Sequence, residues 1–448
     1  MELKELRSVV QNSGVVGAGG AGFPTYQKFD ERASTILLNC AECEPLLKLH
    51  QQLLEQHTPE ILRALDMVAQ TLGVHEIFIC VKSEYESTVQ AVNQCLGGFP
   101  EMQLKQLGSV YPTGDEVVLI YEATGRVVRP GGLPIEVGAL VFNVETMYNI
   151  YRAVYEKKPV TEKLVTVVGE VKNPITLRVP IGTPLEDLIR LAGGATVENP
   201  AYLVGGPMMG RLGSGKQPVT KTTNALLVLP QDHQLVRSRQ ANPAIQLKRA
   251  ASACCQCQVC TDLCPRHALG HPIQPHLFMR AAANNDFRDQ NVFLNTMFCC
   301  GCSVCEKYAC PQSLSPASLI GDYKAGLRKA GVAVPKDVES QPVSTMRPYR
   351  TVPEKRLAAR IGLAHYPDKA PMDETPVSVR RVKILFSQHI GAPAKPLIAQ
   401  GDRVSAGDMI AAAGQGLSVA IHASITGKVL EVNDNFAIIE CENGGTEA

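Results

Sequence analysis

Residues 254–265 read Cys254-Cys255-Gln256-Cys257-Gln258-Val259-Cys260-Thr261-Asp262-Leu263-Cys264-Pro265, a C-x2-C-x2-C-x3-C-P run. Residues 299–311 nearly repeat it with Cys299, Cys302, Cys305 and Cys310-Pro311, placing four residues rather than three before the last Cys. Four thiolates this close in sequence can hold a cubane iron–sulfur cluster. A pair of such clusters does one kind of work, passing single electrons. The extra residue before Cys310 is a departure that a loop can absorb. Two other uses of cysteine fit less well. Structural zinc favours two separated Cys pairs, whereas three Cys at consecutive x2 spacing wrap one polynuclear centre. Disulfides need an oxidising compartment, and no export signal is legible.

The x2-x2-x3 spacing is that of bacterial two-cluster ferredoxins, where the fourth Cys of each run ligates the other cluster. That rule assigns Cys254, Cys257, Cys260 and Cys310 to one [4Fe-4S] cluster, and Cys299, Cys302, Cys305 and Cys264 to the second. Cys255 and Cys300 fall outside the register and are expected to be spectators.

At 448 residues the chain exceeds what one core usually organises, so several domains are expected. A net charge of +1, from 44 basic and 43 acidic residues, argues against nucleic acid as a main partner. No apolar stretch reaches the ~18 residues that cross a bilayer, and Met1-Glu2-Leu3-Lys4-Glu5-Leu6-Arg7 lacks a signal-peptide core. Fifteen Cys without an export signal point to metal ligation in a reducing cytosol. The expectation is a cytoplasmic, multidomain redox protein that is not integral to a membrane.

The fold class read from the pattern is multidomain, α/β and α+β. Residues 1–158 alternate apolar runs such as Ile36-Leu37-Leu38 and Ile77-Phe78-Ile79-Cys80-Val81 with helical stretches, which suggests a parallel α/β sheet. Residues 159–245 give two strands, Leu164–Gly169 and Thr176–Val179, then a helix stopped by Gly193-Gly194, a β-grasp pattern. Residues 246–330 form a helical two-cluster domain. Residues 331–378, rich in Pro and charge, read as a linker with one helix near 355–361. Residues 379–448 return to short strands broken by Gly-Asp turns.

Gly17-Ala18-Gly19-Gly20-Ala21-Gly22 literally contains G-x-G-x-x-G, with Glu42 and Glu44 downstream. A Rossmann reading fails because no strand precedes the loop and Phe23-Pro24 interrupts the helix that should follow. A glycine-dense loop still lets backbone N–H groups approach a phosphate or flavin ring closely. Other motifs are weaker. The tail around Gly401-Asp402 and Gly427-Lys428 is similar to lipoyl carriers, but Gly414-Gln415-Gly416 at the hairpin tip has no Lys, so docking or packing is expected. Cys40 and Cys43 are an isolated pair best read as pocket lining. His267 and His271 read as surface or packing residues, and no D-x-H-x-x-G corrinoid motif is present.

Gly17–Phe29, Asn39-Cys40-Ala41-Glu42-Cys43-Glu44-Pro45 and Ser83-Glu84-Tyr85 resemble the NADH- and FMN-binding flavoprotein subunit of respiratory complex I. With Tyr111–Glu116, Gly131–Pro134 and Asn143–Thr146 they look closer still to the Rnf-C component of the Rnf electron-transport complex. Residues 159–245 are similar to soluble-ligand-binding β-grasp (SLBB) modules. The barrel-sandwich hybrid domain, N-terminal in Rnf-C proteins, has its counterpart here at residues 379–448, around His389–Pro393 and His422–Ser424. That order is similar to the cobalamin reductase family of propanediol-utilisation microcompartments.

The resemblance implies FMN on Gly17, Gly19, Gly20 and Gly22, with Lys28 holding a phosphate. It implies that Asn39 contacts the flavin, that Asn143 and Thr146 hold the FMN phosphate, and that Glu44, Glu84 and Tyr85 line the flavin and nicotinamide pocket, Glu44 and Glu84 as catalytic groups. An Asp of the complex I pattern is replaced by Ala41. NADH gives two electrons as a hydride and clusters take one at a time, and a flavin converts between them. The implied function is an NADH-dependent reductase with FMN and two [4Fe-4S] clusters whose acceptor is cobalamin in a bacterial microcompartment. The implied partners are NADH, a corrinoid or adenosyltransferase, and shell or enzyme proteins. The alternatives are an Rnf-C-like subunit docked on a larger redox complex, or an electron carrier of a glycyl-radical microcompartment.

Overall fold

Ile36, Leu37 and Leu38 are fully buried in the strand Thr35–Cys40. Both faces of its sheet are covered, Ile36 and Leu38 facing one apolar core and Leu37 another, which is why the run is continuous rather than alternating. The computed structural model gives this sheet four parallel strands in the order Met102–Leu107, Glu76–Lys82, Thr35–Cys40, Ala139–Asn143. The structure describes residues 1–336 and 338–441. Residues 442–448, the end of the expected C-terminal domain, lie outside the described residues. From Thr35–Cys40 the next two strands add on one side, and Ala139–Asn143 returns on the other. A crevice therefore opens at the carboxyl ends of the central pair. Asn39 and Asn143 face each other across that pair. The element before the glycine loop is the helix Leu3–Asn12, not a strand.

Glu162–Gly169 and Ile175–Pro180 form an antiparallel pair, Leu185–Leu191 is helical, and Ala225–Leu229 pairs in parallel with Glu162–Gly169. The following region is helical, with Pro243–Ala253, Pro275–Ala283 and Pro316–Lys329 around Phe278, Phe293 and Ile320. The extra residue before Cys310 is taken up by one π-helical turn, Cys305–Ala309, rather than by a loop.

Residues 331–378 are more than a linker. Val352–Pro353 pairs with Val110–Tyr111, the helix Glu354–Arg360 follows, and Met372–Asp373 joins the β-grasp sheet beside Ile175–Pro180. Leu357, Ile361 and Leu363 anchor this strap by burial. Its elements are too short to give a legible period. The C-terminal domain has two small sheets, one built on Arg381–Leu385, Phe436–Glu440 and Gly427–Val432, the other on Met409–Ala412 and Ile421–His422. Ile384, Phe386, Ile410 and Val429 fill the space between. This domain touches the glycine loop, with Ile390 N donating to Gly22 O at 3.1 Å. No helix among the described residues is long and apolar enough to cross a membrane.

Candidate active site

Asn143 ends its strand and caps the helix Val144–Tyr155, Oδ1 accepting from Glu145 N at 2.9 Å and Thr146 N at 3.4 Å. A helix N-terminus offers free N–H groups and the positive end of the helix dipole, which suits an anion. The glycine loop lies over this end, with Ala18 N donating to Thr146 Oγ1 at 3.0 Å and Gly17 N to Phe23 O at 2.9 Å. A Cβ on Gly19 would fall 2.6 Å from Asn143 Nδ2, so close approach of backbone to the cap dictates glycine. Across the crevice, Asn39 Nδ2 donates to Gly114 O at 2.9 Å and its Oδ1 accepts from Ala41 N at 3.0 Å.

Two carboxylates follow. Glu42 is buried, accepting from His50 N at 2.9 Å, with the His50 ring nitrogen 3.3 Å away. The opposite ring nitrogen lies 3.1 Å from Asn143 Nδ2. Glu44 reaches the β-grasp domain, accepting from Met208 N at 2.7 Å and Met209 N at 3.1 Å. Burial pushes its carboxyl up to about 7 against the pull of those two amides and of Arg239.

These groups surround a cavity of about 710 Å³, within the ~300–1,000 Å³ range of cofactor pockets. Of the expected residues, Gly19, Gly20, Asn39, Glu44 and Asn143 line it. Gly17 and Gly22 form the base of the loop and Thr146 supports it from below, outside the wall. Lys28, Glu84 and Tyr85 do not line it. Lys28 Nζ donates to Val141 O at 3.1 Å, and desolvation lowers its pKa. Glu84 is exposed, and Tyr85 OH donates to Glu42 O at 2.8 Å. The cavity also takes in Met209 and Arg211 of the β-grasp domain, Tyr111, and Cys300 and Cys302 of the cluster region. Sequence reasoning missed these contributions to one site, since domain docking is non-local. Tyr111 lay within a motif of the family resemblance, but Arg211 carried no signal.

Cys254, Cys257, Cys260 and Cys310 line one small cavity. Cys264, Cys299 and Cys305 lie near enough for the charges on the first two to raise Cys305, after burial as the main cause. Sulfurs also accept hydrogen bonds, Cys254 from Gln256 Nε2 at 3.1 Å, Cys299 from Gly301 N at 3.3 Å and Cys310 from Leu314 N at 3.4 Å. Such bonds are what tunes cluster potentials. Among the described residues no three Cys, His, Asp or Glu close around a single ion. A cubane binds each thiolate to a different iron and so needs a wider cage, which makes the donor set fit clusters better than zinc.

The Nuo51 FMN-binding domain model matches residues 10–152, the SLBB domain 164–212, the 4Fe-4S dicluster domain 253–315 and the RnfC barrel sandwich hybrid domain 364–442. The chain is 42% identical over 433 residues to the cobalamin reductase PduS of Salmonella typhimurium, covering 96% of this chain and 95% of that protein. It is 41% identical over 435 residues to PduS of Citrobacter freundii, covering 97% and 96%. A third relative is the RnfC-type component of the Na(+)-translocating ferredoxin:NAD(+) oxidoreductase complex of Acetobacterium woodii, 32% identical over 273 residues, covering 60% of this chain and 59% of that protein.

Proposed function

The chain belongs to the cobalamin reductase PduS family, and on that premise we propose that it takes a hydride from NADH and delivers the electrons singly to a corrinoid. One observation carries the reading: a single cavity joins the glycine loop and the capped helix end to Cys300 and Cys302. FMN, when bound, accepts electrons in pairs and releases them one at a time.

Gly19, Gly20 and the N-terminus of Val144–Tyr155 would hold the FMN phosphate, with Gly17, Gly22 and Thr146 fixing the loop that carries them. Asn39 would orient the flavin ring. Glu44 faces the nicotinamide and gains or loses a proton near neutrality. Lys28 and Tyr85 brace the wall through Val141 and Glu42, and the catalytic role expected of Glu84 falls to Glu44. The two Cys sets would hold the clusters as the spacing assigns them. A cytoplasmic microcompartment that regenerates reduced corrinoid for adenosylation is the setting this reading implies, with an adenosyltransferase and shell or enzyme proteins as neighbours.

The test is anaerobic. Protein loaded with FMN and iron–sulfur clusters is mixed with NADH and hydroxocobalamin and followed optically. The cob(II)alamin spectrum should grow as NADH is consumed. NADH consumption with the corrinoid unchanged would contradict the reading and favour a relay protein.

A further inference from the structure

The two Cys sets differ in where they sit. Cys302 lines the cleft, and Tyr111, in the same wall, donates from its hydroxyl to Cys302 O at 2.8 Å. Cys264, Cys302 and Cys305 are buried, at 9%, 8% and 8% exposure. None of Cys254, Cys257, Cys260 and Cys310 lines the cleft. Their loops face outward instead, with Cys255, Cys257 and Gln258 exposed on one side and Pro311, Gln312 and Ser313 on the other.

Electron tunnelling falls off exponentially with distance, so position decides order. We infer that the sets are ordered, Cys264, Cys299, Cys302 and Cys305 forming the inlet from the cleft and Cys254, Cys257, Cys260 and Cys310 the outlet, and that the electron acceptor docks on the face made by residues 255–258 and 311–313. This rests on the cleft being the hydride-accepting site. One NADH gives NAD+, a proton to solvent and two electrons. Each set takes one electron as its cluster passes from the oxidised to the one-electron-reduced state, and two one-electron acceptors, of the corrinoid class, return both clusters to the oxidised state.

Among the described residues, no Asp, Glu, Lys or Arg lines the cavity around the outlet Cys. Gln256 Nε2 there bonds to both Cys254 Sγ and His276 O, leaving amides as the polar groups of the loop. An acceptor whose rim carries amides rather than charges matches that face, as a corrin periphery does.

The experiment uses the full chain, loaded with FMN and clusters, in two variants. Cys257→Ala/Cys260→Ala removes the outlet set and Cys302→Ala/Cys305→Ala the inlet set. EPR is recorded after rapid freezing with NADH, then after dithionite, alongside iron content. The outlet variant should keep NADH reduction of its remaining cluster at the wild-type rate. The inlet variant should lose it at least tenfold while dithionite still reduces the remaining cluster. NADH reduction of the inlet variant at the wild-type rate would overturn the order. If wild-type clusters are reduced by dithionite but not by NADH, the proposed function itself fails, a separate outcome. Where a variant holds no iron, the wild-type protein frozen with NADH and a soluble dysprosium chelate makes the same distinction. The first signal to form should be the one the chelate relaxes least, and the reverse sequence would overturn the proposal.

Discussion

Glu44 is the side chain whose chemistry the surroundings alter most usefully. Its carboxyl lies at about 7 in the folded protein, against 4.5 ordinarily, because burial disfavours its charged form. A raised carboxyl contributes stability that is fully present below about 4.5 and is lost as pH rises through about 7. Glu44→Gln removes that dependence. Urea unfolding at pH 5 and pH 8 should show the wild type losing stability relative to the variant across this interval. The rate of reduction by NADH should show an inflection near 7 in the wild type that is absent from Glu44→Gln. Identical profiles would remove Glu44 from the proton chemistry. Glu44 itself was legible in the sequence, but its partners were not, since the Met208 and Met209 amides come from another domain.

At the scale of elements, local spacing was readable and pairing was not. The Cys runs expose their ligand pattern because all but one ligand of each set lies within seven residues of sequence. The crevice between Asn39 and Asn143 depends on strand order, which no local pattern encodes. The strap is the clearest difference. A two-residue strand and a seven-residue helix, Val352–Pro353 and Glu354–Arg360, leave no period to detect, yet Leu357 is fully buried beside Tyr111, Ile361 and Leu363. Leu357→Ala should therefore destabilise the protein by about 2–5 kcal/mol, as deleting a buried leucine does elsewhere. Chemical denaturation measures this, and a loss within ~0.5 kcal/mol would mean that the segment is a linker after all.

At the scale of the molecule, Lys221 ties three domains together. It belongs to the β-grasp domain, and its buried Nζ donates to Gly14 O at 2.6 Å and Ala420 O at 3.1 Å. Desolvation lowers its pKa from 10.5 to about 7. Between those values the unfolded chain binds a proton that the folded one does not, so this group makes stability rise with pH over that window. Lys221→Met should flatten the rise in thermal unfolding between pH 7 and pH 10. An unchanged slope would show that the ammonium keeps its proton. The C-terminal domain thus braces the glycine loop through Gln11, Gly14 and Gly22. Sequence alone gave that domain a docking or packing role without saying against what.

If one cleft couples NADH to the cysteine-held clusters, electrons from NADH must reach them with no other donor present. Anaerobic EPR of the reconstituted wild-type protein tests this most directly, first with NADH alone and then with dithionite. NADH alone should produce reduced-cluster signals, with dithionite adding little. Signals that arise only with dithionite would contradict the coupling.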